Sequence, residues 1–242
     1  MRSLNTFDVI GTWERGEGRY VTDTALSLLM PAFPEKSLSD LADLTVGQRD
    51  AALFELFEKT FGKKIPGFAK CPKCDEHLEF DMSTVDFRTT ITPDLDRKFS
   101  SGNFEITFRP ITGRDLLETQ NLEEISDARM YLIEKAVVNA TRDGIPVPAC
   151  DLPQEVVQIL STKLSQSDPL SEIMLDLHCP LCGESWESLL DIVIFFFLEI
   201  TAETKRLLNE VHILAEAYGW REDEILSLSP ERRSFYMDIA GQ

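Results

Sequence analysis

Cys71-Pro-Lys-Cys74 and Cys179-Pro-Leu-Cys182-Gly183 are the two stretches on which the fold of this chain turns. Each is a CxxC turn able to place two thiolates on one cation at a Zn–S distance of about 2.3 Å, and two such turns complete a tetrahedron. One CxxC among five cysteines carries little weight, but two with proline in the same slot, beside segments that read as strands, form a specific pattern. The spacing predicts one structural Zn2+ held by Cys71, Cys74, Cys179 and Cys182, tying the middle of the chain to its later half. A closed four-sulfur site keeps no open position for water or substrate, so its expected role is a staple rather than a catalyst. A thioredoxin-like redox role for either pair would want an adjacent helix and a βαβ setting. His77 and His178 lie beside the cysteine pairs, where they are expected outside the ligand set or merely exposed. Cys150 is expected to be a small buried residue, and His212 a packed or partly exposed helical one.

Outward from the cysteines the pattern alternates. Leu78-Glu-Phe80, Thr89-Thr-Ile91 and Phe104-Glu-Ile-Thr-Phe108, broken by Pro93 and the Ser100–Asn103 turn, predict a small antiparallel sheet. Ile173 to Leu177 reads as a strand running into Cys179. On the N-terminal side, Tyr20 to Met30 reads as a helix stopped by Pro31 and Pro34. Thr45 stands three residues before Gln48 as a capping box, opening an apolar stripe of Leu53, Phe54, Leu56, Phe57 and Phe61 that Gly62 closes. Further helices are expected from Thr112, capped toward Asp115, from Ala128 to Ala140, and from Gln154 to Leu164. Between the last two, Gly144, Pro146, Pro148 and Pro153 make an irregular connector. From Leu189 the chain reads as helical through Tyr218, with a turn at Gly219, a short helix at Glu222–Leu226 and a last one at Ser229-Pro230. The expected architecture is α+β, with helical N- and C-terminal parts around a small antiparallel sheet carrying a zinc-ribbon-like four-cysteine site. It divides into residues 1–64, 65–188 and 189–242.

With 43% apolar residues the chain can fill a core, and a net charge of −18 repels phosphate backbones and anionic lipid heads. No basic patch offsets that charge. Glu222, Asp223 and Glu224 stand where a helix-turn-helix reading of the C-terminal part would present a recognition helix, which makes DNA docking unfavourable. Tyr218, Trp220, Ile225, Leu226, Leu228, Phe235 and Tyr236 read instead as a compact helical cap or a protein docking surface, core packing being the plainer reading. The apolar run Ile192–Leu198 is far shorter than the roughly 20 residues a membrane-spanning helix needs. Met1 to Gly11 lacks the order of a secretory signal, so the expected location is cytoplasmic. No GxxxxGK[ST], GxGxxG, HExxH or GxSxG string is present, no pair of carboxylates stands out for acid–base work, and the chain is read as a non-enzyme.

Several phrases together carry a resemblance: Gly67 to Cys74, Leu78 to Phe80, Arg109-Pro-Ile-Thr-Gly-Arg-Asp-Leu116, Asp168-Pro-Leu-Ser-Glu-Ile173 leading into Cys179–Gly183, Asp191-Ile192, and Glu210 to Trp220 followed by Ile225 to Arg233. Over about Val46 to Ile239 the chain resembles the baseplate proteins encoded beside contractile phage-tail and extracellular injection-system genes. It is more remotely similar to the hub-assembly proteins of T-even phage baseplates. The resemblance implies a structural or assembly role, with other baseplate or tail proteins as partners, cytoplasmic assembly and incorporation into a tail-like particle. Phe195-Phe-Phe197 is bulkier than that family leads one to expect, which leaves its packing partner open. The competing reading is a cytoplasmic zinc-ribbon regulator or adaptor that binds nucleic acid or a transcription protein.

Overall fold

The computed structural model describes residues 1–87 and 96–241. Four helices come first: α1 (Thr6–Gly16), α2 (Val21–Leu29), α3 (Leu38–Ala42) and α4 (Val46–Phe61). They are followed by β1 (Lys64–Lys70), β2 (His77–Ser83), β3 (Lys98–Ser101), β4 (Phe104–Phe108), α5 (Gly113–Thr119), α6 (Ile125–Ala136), β5 (Val137–Arg142), β6 (Ile145–Pro146) and α7 (Gln154–Ser167). The chain ends with β7 (Ile173–His178), β8 (Ser185–Leu190), α8 (Ile192–Tyr218), α9 (Glu222–Leu226) and α10 (Pro230–Ala240). The class is α+β, as expected.

Helix α8 is the spine of the larger core. Asp191 caps it, its side chain accepting from the Val193 and Ile194 amides at 2.9 and 3.3 Å. Gly219, at φ +67°, ends it in the left-handed conformation that glycine adopts without a Cβ penalty. Its buried face, Ile192, Val193, Phe196, Ile200 and Leu207, packs in one cluster with Val9 and Ile10 of α1, Leu28 and Leu29 of α2, and Leu53, Leu56 and Phe57 of α4. Two of the three phenylalanines have identifiable partners. Phe196 is buried edge-on to Phe57 and Phe61 at centroid distances of 5.4 and 6.0 Å. Phe197 lies against α1 at Gly16, where a Cβ would come within 2.5 Å of its ring.

The expected single sheet is three separate ones. β1 and β2 form one hairpin, β7 and β8 another, and β3-β4-β5-β6 an antiparallel sheet of its own, all pairings antiparallel. The helix expected to reach Ala140 stops at Ala136, and Val137–Arg142 pairs with β4 instead. Val137 and Val138 are β-branched, and Ala140 is needed under Phe104 and Ile106 in a second small core with Leu152 and Val156. That packing decides against the helical pattern. The irregular connector likewise supplies β6, whose Ile145 lies opposite Arg142. The strand expected at Thr89–Ile91 lies outside the described residues.

The N-terminus of α4 is fastened twice. Thr45 and Gln48 form the expected capping box. Asp168 reaches across from far along the chain and accepts from the Gly47 amide at 2.9 Å. A Cβ on residue 47 would sit 2.1 Å from the Asp168 carboxylate, so the cap depends on glycine at this position. Gly47→Ala is expected to displace Asp168 and cost about 1 to 3 kcal/mol, measured as a fall in the urea midpoint at unchanged slope.

Candidate metal centre

The four cysteines sit at the tips of the two isolated hairpins. Lys70↔His77 and His178↔Ser185 are the last pairs before the turns, while Ile65 and Leu190 at the opposite ends are buried in the main core. Each hairpin is thus rooted in apolar packing at its base, while its tip meets the tip of the other.

The two tips have the same backbone. In the first, the Cys71 amide donates to Glu76 O at 2.8 Å and the Asp75 amide to Cys71 O at 3.0 Å. In the second, Cys179 donates to Glu184 O at 2.8 Å and Gly183 to Cys179 O at 3.0 Å. The residue after the second cysteine is left-handed in both, Asp75 at φ 60° and Gly183 at φ 74°. Glycine fits the second position without strain, and Asp is among the few residues that tolerate the first. The proline shared by both CxxC motifs sits inside these matching turns.

Facing each other, the turns bring Cys71, Cys74, Cys179 and Cys182 together with their sulfurs all within 4.8 Å of one another. The Cys71–Cys182 and Cys74–Cys179 sulfurs are 3.6 Å apart. A disulfide needs about 2.05 Å. A tetrahedron of sulfurs each about 2.3 Å from a central zinc has edges of about 3.8 Å, close to the spacing here. Cys71 and Cys179 are buried and the other two half-buried. The donor set and its spacing therefore fit a tetrahedral thiophilic cation.

The electrostatics of the cluster point the same way. Burial works against the Cys71 thiolate, but the Cys74 and Lys73 amides and the neighbouring thiols bring its pKa down to about 7. At Cys74 the Glu76 amide favours the thiolate, yet burial and the surrounding sulfurs outweigh it and push the thiol up to about 12. Cys182 is also raised, its Glu184 amide being outweighed by burial and by Cys71 and Cys179. One thiolate is favoured and further ones repel it; a divalent cation at the centre would remove that repulsion.

Across the gap, Lys73 of the first turn donates to Glu184 of the second at 2.9 Å. This exposed pair aligns the tips without adding much stability, and the spacing of the cysteines alone does not announce it. His77 is exposed, and His178 is exposed with Nδ1 3.0 Å from Ser185 Oγ. His212 is exposed on α8. Cys150, expected to be buried, is exposed in the short turn Ala149–Asp151 between β6 and α7, because the valine and leucine on either side of that turn fill the small core.

The other resemblance phrases are packing devices. Arg109 meets Asp115 through two bonds of 2.7 and 2.8 Å, and Thr112 adds its amide and hydroxyl to the same carboxylate at 2.8 Å each. Burial alone would raise Asp115, but these donors hold it at about 2. Val46 donates to Ile111 O, and Gly113 to Leu44 O, so the phrase joins α5 to the entry of α4. Near the C-terminus, Arg233 is buried and donates to Glu210 at 2.9 Å and to Leu228 O at 2.6 Å. Its guanidinium is therefore committed inside the protein and not offered to phosphates. Tyr218 stacks on Trp220 at a centroid distance of 4.7 Å and Tyr236 meets both edge-on at 5.7 and 4.9 Å, forming a helical cap, although Phe235 is turned to solvent. Among the described residues, no helix is long and apolar enough to cross a membrane.

A family model described as T4 bacteriophage base plate protein matches residues 21–197. No curated protein and no solved structure matches the chain.

Proposed function

The chain belongs to the T4 bacteriophage base plate protein family, and from that premise we propose that it is a structural or assembly component of the base plate of a contractile phage-tail-like particle, with one structural Zn2+ on Cys71, Cys74, Cys179 and Cys182. The supporting observation is that the matched segment, residues 21–197, contains both hairpins, the Arg109–Asp115 link and the Asp168 cap. These are parts that fix shape. A four-sulfur site that is coordinatively closed would do the same and would activate no water. The protein acts by contact, without turning over a substrate, and its acidic surface favours basic or polar patches on neighbouring subunits. It is made in the cytoplasm and carried into the particle.

Purification of the tagged protein from its host, with metal analysis and identification of the accompanying proteins, tests both halves. One zinc per chain together with tail or base plate subunits is the expected result. Zinc with DNA or transcription proteins, lost steeply as salt rises, would replace this reading by that of a zinc-ribbon regulator.

A further inference from the structure

Helices α1 and α9 flank a groove of about 500 Å³ whose walls, residues 7–14 and 221–226, lie outside the segment matched to the family. Its apolar part is Phe7, half exposed, with Ile10 and Leu226 beneath it. Its rim is acidic, with Glu14, Glu222 and Asp223 exposed. Among the described residues that line the groove, Arg221 is the one cation and pairs with Asp223 at 3.1 Å, so Glu14 and Glu222 leave the rim net negative.

Gly11 adds a separate observation. It stands in the middle of α1, where glycine weakens a helix, and it lines the groove. At Gly16 on the same helix the missing Cβ makes room for Phe197, but at Gly11 a Cβ would meet only the far end of the Arg15 side chain, at 3.1 Å. Among the described residues, only the exposed Arg15 side chain would have to shift for a Cβ there. Glycine there leaves bare backbone as part of the groove wall.

We propose that this groove docks a basic segment of another protein, which inserts one large apolar side chain between α1 and α9 while its lysines or arginines face Glu14 and Glu222. The apolar floor supplies affinity and the acidic rim selects the sign of the partner.

The test uses the full chain and three labelled synthetic peptides: a leucine flanked by lysines and arginines, the same peptide with serine for leucine, and the same leucine flanked by glutamates. Fluorescence anisotropy is expected to show the first binding at least tenfold more tightly than either of the others. Gly11→Leu, which fills the groove, and the exposed pair Glu222→Lys with Asp223→Lys should each weaken it at least tenfold, with circular dichroism confirming that both variants are folded. Equal binding of the serine peptide would reduce the effect to the overall charge of the protein and overturn the proposal. So would unchanged binding to both variants, or no binding of the first peptide. None of these failures touches the base plate reading, which is judged on particle proteins and metal content.

Discussion

Cys71→Ser, or removal of metal by a chelator under reducing conditions, is expected to loosen the two hairpin tips while leaving their roots in place. Two-stranded sheets are marginal on their own, and β1–β2 and β7–β8 have no further strand to pair with among the described residues. Their bases are held by Ile65 and Leu190 in the main core, whereas their tips meet through four sulfurs and the exposed Lys73–Glu184 pair. Structural zinc binds with apparent free energies of about 10 to 16 kcal/mol, comparable to a whole domain's stability of about 5 to 15. Part of that is spent ordering the tips, so the expected fall in melting temperature is about 10 °C or more. Hydrogen exchange gives the sharper readout. Amides of Cys71, Asp75, Cys179 and Gly183 should lose protection, and those paired near Ile65 and Leu190 should keep it. A metal-free protein with the same melting temperature and the same protection at both tips would refute the staple.

Asp115→Ala is expected to produce the second large effect, about 2 to 3 kcal/mol of lost stability, because it removes the Arg109 pair and the cap of α5 together. The lower part of the range for breaking an ion pair applies, since the Arg109 side chain is 37% exposed and partly screened. The dependence on pH follows from the carboxylate held at about 2 against an ordinary value of 3.8. A lowered folded-state pKa stabilises the native protein above the unfolded value, and that contribution disappears as the acid form takes over. The stability gap between the wild type and Asp115→Asn should therefore be constant above about pH 4 and close between about pH 4 and pH 2. A gap that does not narrow over that interval would mean the carboxylate charge is not what holds α5 to the entry of α4.

Both experiments probe features whose residues were visible in the sequence before their partners were. The Cys71–Cys74 and Cys179–Cys182 spacing was legible because a CxxC turn is local: a proline, two thiols and a left-handed residue within a few positions. The Thr45 and Thr112 capping boxes and the glycine end of α8 were legible for the same reason, each being an interaction within one turn of helix. The phrase around Arg109 was recognisable, but nothing local said that Gly113 and Ile111 would hold the chain entering α4.

Sequence by itself determined the α+β class, the two CxxC turns and the ends of α2, α4 and α9, since periodicity and capping are short-range, but it did not foresee α1 or α3. Tertiary structure decided the rest. It ended α6 at Ala136 because Ala140 packs under Phe104 and Ile106, and it split the strands into three sheets by rooting two hairpins in the α8 core. It exposed Cys150, buried Arg233 against Glu210, and brought Asp168 to Gly47. Burial and long-range partners depend on which surfaces meet, and that is fixed only when distant segments compete for the same apolar contacts.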